Sequence, residues 1–278
     1  MKHQSKKLIV LIILVVFLLH DSTSAQEVED EREFDYIKGS ERGPAHWGDI
    51  KEEWAACKYG DMQSPIDLSS SRVKVIPKLR PLKIKYKSFN ATITNRGHDI
   101  AVFWRGDAGS IRMNGTNYYL QQCHWHSPSE HSINGRKYDM ELHMVHVSPN
   151  KNKILVVAAL YKIGQPDPFL STLEKEIVHM VDEEAERVMG EIDPSEIKME
   201  GKMYYRYIGS LTTPPCTQGV VWILDKKIRT VSKVQVKLLR HAVHDSAEAN
   251  ARPTQPHNQR QIHLHLHGPI PTTTTPKH

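Results

Sequence analysis

The chain has 278 residues, of which 39% are hydrophobic and 25% are charged, the balance of an ordinary globular protein with one substantial core. Its formal net charge of +5 is modest, and no basic stripe with interleaved aromatic residues occurs, so a nucleic-acid partner is not indicated. A His-Glu-x-x-His helix, a Gly-x-Ser-x-Gly elbow and a glycine-rich phosphate loop are also missing from the sequence. This argues against the enzyme classes that depend on them.

Residues 1–25 have the layout of a secretory signal peptide. Three lysines precede an uninterrupted apolar run from Leu8 to Leu19, and small residues follow from Ser22 to Ala25. The apolar run is shorter than the roughly 20 residues that a bilayer requires, so no stable membrane anchor is expected after cleavage. The acidic segment 26–33 is then predicted to be a solvated leader.

An oxidising compartment is consistent with the cysteines and with two glycosylation sequons. Cys57, Cys123 and Cys216 allow one disulfide and one free thiol, and the residues alone leave all three pairings open. Asn90-Ala-Thr and Asn114-Gly-Thr match the acceptor pattern for N-linked glycans, although a match can also go unused.

Strand patterns dominate the middle of the chain. Short apolar runs alternate with turn formers, and the short spacing between runs favours antiparallel neighbours. The predicted strands include Leu82–Tyr86, Ile100–Trp104 and Tyr118–Leu120, and the predicted reversals include Asp107–Gly109, Asn114-Gly115 and Asn134-Gly135. The continuous apolar run Ile154–Leu160 predicts a strand buried on both faces at the centre of the sheet.

Helical patterns are sparse. Apolar residues recur at helical spacing from Leu170 to Met189 and again from Val234 to His244, which predicts two helices. No internal repeat or composition break divides the chain, so we predict a single mainly β domain over residues 34–265, with short peripheral helices. Residues 266–278, with their run of threonines, are predicted to form a flexible C-terminal tail.

Two period-two patterns place potential metal ligands on strand faces. In Gln122-Cys-His-Trp-His126, one residue separates the histidines, so a strand directs both imidazoles to the same side. In Glu141-Leu-His143-Met-Val145, the same logic puts Glu141, His143 and Val145 on one face, which is not the pattern of a packed core. Three neutral imidazoles would leave one tetrahedral position open, as catalytic zinc sites require.

Other histidines compete for the role of third ligand. His146 is expected to face away from His143 if the strand is regular, and His131 belongs to no His-x-His pair. Taken alone, the pair His124 and His126 is compatible with an ordinary surface or core role.

Eight motifs in order give the sequence a strong resemblance to the α-carbonic anhydrases, in particular to their plant branch. The resemblance extends from about Phe34 to Ile262. It rests on Gly43-Pro-Ala-His-Trp-Gly48, Gln63-Ser-Pro-Ile-Asp67, Asn95-Arg-Gly-His98, His124-Trp-His126, Ser129-Glu-His131, Glu141-Leu-His143, Ser210-Leu-Thr-Thr-Pro-Pro215 and Asn250-Ala-Arg-Pro253. The resemblance implies a large, twisted, mostly antiparallel sheet of about ten strands and a Zn²⁺ ion held by His124, His126 and His143.

The resemblance further implies that zinc-bound hydroxide attacks carbon dioxide to give bicarbonate, the two small-molecule partners of the site. Thr212 would orient the nucleophile by donating to Glu130, and Thr213 would line the bicarbonate position. Gln122 and Glu141 would accept hydrogen bonds from the ligands His124 and His143. The same family comparison assigns proton shuttling to His98, and it assigns ordering of the cleft water to Tyr36, where the local spacing differs from the family pattern.

The remaining implications concern the pocket wall and the disulfide. Positions that match the apolar wall for carbon dioxide are Val145, Val156, Leu211, Val220 and Trp222. The resemblance pairs Cys57 with Cys216, which ties the N-terminal segment to the Thr212-Thr213 loop. Strand alternation turns Cys123 away from the metal, as a buried thiol.

Three alternatives remain open at the level of sequence. Some plant members of the family have lost zinc ligands and act as storage or binding proteins, whereas this chain keeps all three histidines together with Thr212, Glu130 and His98. Ester hydrolysis is expected only as a side activity. Entry to the secretory pathway is expected to end either outside the cell, in the apoplast, or in the chloroplast stroma, and the oligomeric state is not specified.

Overall fold

The computed structural model describes residues 33–77, 82–181, 185–199, 202–243 and 249–266. The predicted signal peptide, nearly all of the predicted acidic leader and nearly all of the C-terminal tail lie outside these ranges. The described helices are short: α1 Trp47–Ile50, α2 Ala56–Tyr59, α3 Pro168–Val178, α4 Lys233–Ala242, and 3₁₀ turns at Glu52–Trp54, Ser70–Arg72 and Pro194–Ile197. Within the described ranges, no helix is both long and apolar enough to cross a membrane.

Thirteen strands form one large mixed sheet. They are β1 Val73–Ile76, β2 Lys83–Tyr86, β3 Phe89–Asn95, β4 Ile100–Trp104, β5 Gly109–Met113, β6 Thr116–His126, β7 Met140–Val147, β8 Ile154–Ile163, β9 Glu186–Ile192, β10 Met203–Ser210, β11 Gln218–Asp225, β12 Arg229–Val231 and β13 Ile262–Leu266. The order along the main path is β1-β13-β10-β11-β8-β7-β6-β4-β3-β9, a path of ten strands. The predicted fold class is confirmed.

Most neighbouring strands are antiparallel, as predicted, and tight turns join several of them. Asn114 and Gly115 have φ values of 48° and 80°, which suits the two-residue hairpin between β5 and β6. Three pairings are parallel, between β1 and β13, β8 and β11, and β8 and β12. Strand β8 lies between β7 and β11 and is buried from Ile154 to Tyr161, which confirms its predicted central position.

The pairing register sorts the side chains of the central strands into two faces. One face packs into the larger apolar core, where Leu142 and Met144 of β7 lie. The other face carries a cross-strand row in which Ala101 pairs with His124, His124 with His143, and His143 with Ala158. The site residues therefore project from the middle of the sheet, where paired strands hold them on both sides.

The predicted helix from Leu170 to Met189 is wrong in its second half. Helix α3 ends at Val178, and Val188 lies in strand β9, where it is 83% exposed. Strand β9 pairs with the edge of β3, so backbone hydrogen bonding in the sheet prevails over the apolar periodicity of the segment. The second predicted helix is confirmed as α4, which ends at Ala242.

Candidate metal centre

Strands β6 and β7 bring three histidines together. His124 and His126 point from the same face of β6, and His143 is the direct cross-strand partner of His124. One ligand nitrogen from each ring lies within 4.8 Å of the other two. All three side chains are buried, with exposures of 1%, 0% and 1%. The two patterns recognised in the sequence thus form one cluster.

Hydrogen bonds fix which nitrogen of each ring faces the cluster. Nδ1 of His124 lies 2.8 Å from Oε1 of Gln122, and Nδ1 of His126 lies 2.7 Å from the carbonyl oxygen of Asn250. Nε2 of His143 lies 2.8 Å from Oε1 of Glu141. The nitrogens left to the cluster are therefore Nε2 of His124, Nε2 of His126 and Nδ1 of His143.

The electrostatic surroundings keep two of the ligands neutral. Burial lowers the pKa of His124 well below its usual value and also lowers the pKa of His143. Burial acts in the same direction on His126, but the carboxylate of Glu130 and the hydrogen bond to Asn250 raise its pKa overall. Although burial alone would raise it, the neighbouring His131 and His143 hold the pKa of Glu141 well below its usual range, so this acceptor is ionised.

The residues present fit a zinc ion. Imidazole nitrogens are preferred zinc ligands, and three protein ligands leave the fourth tetrahedral position for water or substrate. Nε2 of His126 is buried and has no hydrogen-bond partner among the described residues, which is costly for a polar atom unless another ligand is bound. Each ring also has an acceptor on its far side, as metal-ligating histidines usually have.

His131 is near this centre but serves a different purpose. Its Nδ1 lies 2.6 Å from Oε1 of Glu141, and its Nε2 lies 2.7 Å from the hydroxyl of Tyr207. Both ring nitrogens are thus engaged, although His131, Glu141 and His143 are close enough to be considered a second metal cluster. We interpret His131 as a support for Glu141. His146, the other competitor, faces away from the cluster and contacts Tyr86, as strand alternation predicts.

Glu130 lies beside the three histidines. Its Oε1 accepts a hydrogen bond of 2.9 Å from the backbone N–H of Arg252, and its Oε2 lies 3.7 Å from Nε2 of His126. Oε2 has no hydrogen-bond partner among the described residues. The hydrogen bond that the sequence predicts from Thr212 to Glu130 therefore stays a prediction, and a free acceptor is available for it.

Thr212 and Thr213 lie in the loop between β10 and β11, and both are buried. The backbone N–H of Cys216 donates to the carbonyl of Thr213 at 2.9 Å, which closes the turn. Cys216 forms a disulfide with Cys57, with a Cα separation of 5.0 Å, so the predicted pairing is confirmed. The side-chain oxygen of Thr213 has no hydrogen-bond partner in the described part of the chain.

The predicted apolar wall is a single cluster on the metal face of the sheet. Its members include all five predicted positions, Val145, Val156, Leu211, Val220 and Trp222. The Trp222 ring lies 4.8 Å from the ring of His143, centroid to centroid, so this wall adjoins the ligands. Cys123 is buried in the core on the opposite face, where burial raises the pKa of its thiol.

His98 and Tyr36 both pack against Phe34. His98 lies in the turn between β3 and β4, where it is only 3% exposed and its ring packs 5.2 Å from that of Phe34. Tyr36 packs against Phe34 and Trp47 in a neighbouring aromatic cluster. The glycosylation candidates Asn90 and Asn114 are exposed, so glycan attachment at either stays a prediction.

Sequence reasoning missed Asn250 as a functional residue. Its carbonyl orients His126, and its side chain donates to the carbonyl of His98 at 2.8 Å. The family motif Asn250-Ala-Arg-Pro253 contains this residue, but the motif alone does not predict what Asn250 does. His131, which the sequence offers as a competing ligand, instead supports Glu141 through its two hydrogen bonds.

The fold and the centre together define a mainly β protein with three clustered histidines that could hold a metal ion. The model for eukaryotic-type carbonic anhydrases matches residues 42–265. The chain therefore belongs to the α-carbonic anhydrase family.

Relatives and solved structures agree with this assignment. Alpha carbonic anhydrase 7 of Arabidopsis thaliana is 53% identical over 255 residues, which cover 91% of this chain and 92% of that protein. Carbonic anhydrase Nec1 of Nesocodon mauritianus is 54% identical over 261 residues, covering 92% and 94%. The crystal structure of dioscorin complexed with ascorbate has a TM-score of 0.82 and 42% sequence identity, covering 84% of this chain and 98% of that one.

Proposed function

We propose that the protein catalyses the reversible hydration of carbon dioxide to bicarbonate and a proton, with zinc held by His124, His126 and His143. The observation that carries the proposal is the set of three buried imidazoles, each with one nitrogen left for a shared metal. When bound by these three imidazoles, zinc would supply a hydroxide nucleophile near neutral pH, because such a site lowers the pKa of water to about 7, the value known for carbonic anhydrases.

The residues around the ligands hold the rings in place. Gln122, the Asn250 carbonyl and Glu141 each accept one imidazole N–H, which fixes the orientation of the ring and raises its basicity. Glu141 is itself fixed, because its Oε2 accepts backbone N–H groups of Glu130 and His131, both at 2.8 Å. This arrangement favours a rigid metal site over an adaptable one.

We assign substrate binding to the apolar cluster that adjoins the ligands, and nucleophile alignment to Thr212. The apolar cluster around Trp222 suits carbon dioxide, which is linear and carries no charge. We assign to Thr212 a hydroxyl that donates a hydrogen bond to Oε2 of Glu130 and whose oxygen would accept a hydrogen bond from the nucleophile, and we assign the bicarbonate position to Thr213. Oε2 of Glu130 has no hydrogen-bond partner among the described residues, which supports its role as the acceptor of this hydrogen bond.

The proton produced in each hydration must leave the site, and His98 is the proposed relay. An imidazole in the site can accept and release a proton in each cycle, which water alone does slowly. Tyr36 is proposed to help order the water that links the site to His98.

Stopped-flow measurement of carbon dioxide hydration, combined with metal analysis of the purified protein, tests the proposal. We expect about one zinc per chain and hydration that is lost on chelation and restored by added zinc. Stoichiometric zinc without hydration would contradict the enzymatic function. A protein that folds but takes up no zinc would instead support the storage or binding function, for which the similarity to a dioscorin is the observation in favour.

We also propose that the protein enters the secretory pathway. The apolar segment from Leu8 to Leu19 and the Cys57–Cys216 disulfide support this route. Expression of a fluorescent fusion in plant cells, with and without residues 1–25, distinguishes export to the apoplast from delivery to the chloroplast. A cytosolic signal for the full chain would contradict both destinations.

A further inference from the structure

A buried ion pair is built into the turn that carries His98. Arg96 donates from Nε to Oδ1 of Asp99 at 2.7 Å and from Nη2 to Oδ2 at 2.5 Å. The side chains are 4% and 0% exposed. Since a buried ion pair must offset a large loss of hydration, its presence is weak support for stability alone. Its place in the turn of His98 points to a role at the site.

The carboxylate of Asp99 is directed at His98 as well as at Arg96. Oδ2 of Asp99 lies 3.7 Å from Nε2 of His98, too far for a hydrogen bond to a neutral ring but close enough for strong attraction to a charged one. No described residue has full hydrogen-bond geometry with either ring nitrogen of His98, although the backbone of Arg96 is near enough to act to raise the pKa of the ring. The ring is bounded on another side by Phe34.

The backbone of this turn is fixed relative to the metal centre. The side chain of Asn250 donates to the carbonyl of His98, and the carbonyl of Asn250 faces Nδ1 of His126. The turn itself is closed by a hydrogen bond of 2.9 Å from the N–H of Arg96 to the carbonyl of Asp99. His98 is consequently held at a defined place, and its charge state depends on the groups around it.

Those groups act on His98 in opposite directions. Burial is the largest effect and lowers the pKa of His98 to about 4, Asp99 acts to raise it, and the positive charges of Arg96 and His126 act to lower it. Arg96 in turn counters the effect of burial on Asp99 and holds the pKa of that carboxyl far below its usual range. Asp99 is thus a permanent negative charge, and it does not itself take up the proton.

We propose that Asp99, clamped by Arg96, is a positioning residue for proton transfer, because its fixed carboxylate stabilises the protonated ring of His98 in the buried position. The ring of His98 gains one proton and loses it again in each cycle, while Asp99 remains ionised throughout. This inference rests on the proposed function.

The test compares two rates in variants of the zinc-loaded protein. Asp99→Asn removes the charge, and Arg96→Gln combined with Asp99→Asn removes it without leaving an unpaired arginine in the interior. Asp107→Asn, which breaks an exposed pair with Lys87, is the control. We expect about a tenfold loss of steady-state hydration in weak buffer for the first two variants, because each unit of pKa lost by the relay costs about that factor. We expect restoration by imidazole buffer and no change in the control.

The second rate is the exchange between carbon dioxide and bicarbonate at chemical equilibrium, which does not depend on proton export. It should stay within about twofold of the wild type if Asp99 acts through His98. Equal losses in exchange and in hydration would overturn the proposal, since they indicate a structural effect on the whole site. Unchanged hydration in weak buffer would overturn it as well.

An NMR titration of the metal-free protein provides a readout that does not need activity. The His98 ring signals, assigned by comparison with His98→Ala, should titrate at lower pH in the double variant than in the wild type. An unchanged His98 titration contradicts the role of Asp99, whatever the kinetics. A wild-type protein with no exchange activity would contradict the proposed function, while the titration would still report on the pair.

Discussion

Oε1 of Glu141 lies between two imidazoles, 2.8 Å from Nε2 of His143 and 2.6 Å from Nδ1 of His131. The first contact turns Nδ1 of His143 toward the other two ligands. The second contact, together with the backbone N–H groups that donate to Oε2, prevents the carboxylate from rotating. A single acidic side chain therefore determines which nitrogen of His143 is offered to a metal.

Glu141→Gln is accordingly expected to weaken zinc binding by about 10- to 100-fold without unfolding the protein, because the amide is a weaker acceptor than the carboxylate. Competition with a zinc chelator measures the affinity. The matched change Glu191→Gln on the exposed edge strand should leave the affinity as in the wild type. Equal affinities for wild type and Glu141→Gln would contradict the assigned role.

Thr212→Ala separates nucleophile alignment from metal binding. We expect zinc content to stay stoichiometric and turnover to fall by about 10²-fold, because misaligned reacting groups lose that order of rate. Stopped-flow hydration and metal analysis of the same sample give both values. Thr230→Ala in strand β12 is the control, and full activity of Thr212→Ala would remove Thr212 from the site.

The disulfide closes a loop with a sequence separation of 159 residues between Cys57 and Cys216. In the chain-entropy account, a loop of this length contributes about 5 kcal/mol, less any strain. The double variant Cys57→Ser and Cys216→Ser should lose stability of this order in urea denaturation. It should also lose turnover, because the Thr212-Thr213 loop is no longer tied to helix α2. A free energy of unfolding within about 1 kcal/mol of the wild-type value would contradict the expected loss of stability.

His146 should make the protein sensitive to acid. Its ring is fully buried, with Nε2 2.7 Å from the hydroxyl of Tyr86, and burial lowers its pKa to about 4. The unfolded chain takes up a proton on this ring near pH 6.5, so the stability that neutral His146 contributes is complete above that pH. It is lost as the pH falls toward 4, by about 1.4 kcal/mol per pH unit.

Urea denaturation of metal-free wild type and His146→Gln across pH 4 to 7 measures this dependence. The variant is expected to be less stable at pH 7, because it loses the contacts of the ring, and to lose less stability on acidification. Parallel stability curves for the two proteins would show that His146 does not titrate as described.

The local part of the site could be predicted from sequence because strand alternation has a range of only two residues. Strand alternation alone predicts that Glu141 lies beside His143 and that His146 and Cys123 face the other way, as they do in the structure. The contribution of Asn250 could not be found in this way, because it lies 124 residues from the histidine that it orients. Such contacts depend on the order of the strands and not on any local pattern.

The same limit explains the errors in the fold prediction. Helix α3 has its cap and its buried face within one segment, so its existence was predictable. Its end at Val178 was not, since residues from Glu186 onward pair with β3, a strand almost a hundred positions earlier. The parallel pairing of β8 with β11 likewise depends on a long crossover that short-range patterns do not specify.

Because His124 pairs directly with His143, the candidate metal site forms only when β6 and β7 pair in the correct register. If β7 slipped by one residue against β6, the ring of His143 would move to the core face and Leu142 or Met144 would take its place opposite the pair on β6. Such a misfolded chain would keep much of its strand content but would not retain a metal with three imidazoles. Zinc retention can therefore distinguish properly registered molecules from those that are merely collapsed, in a way that secondary-structure measurements cannot.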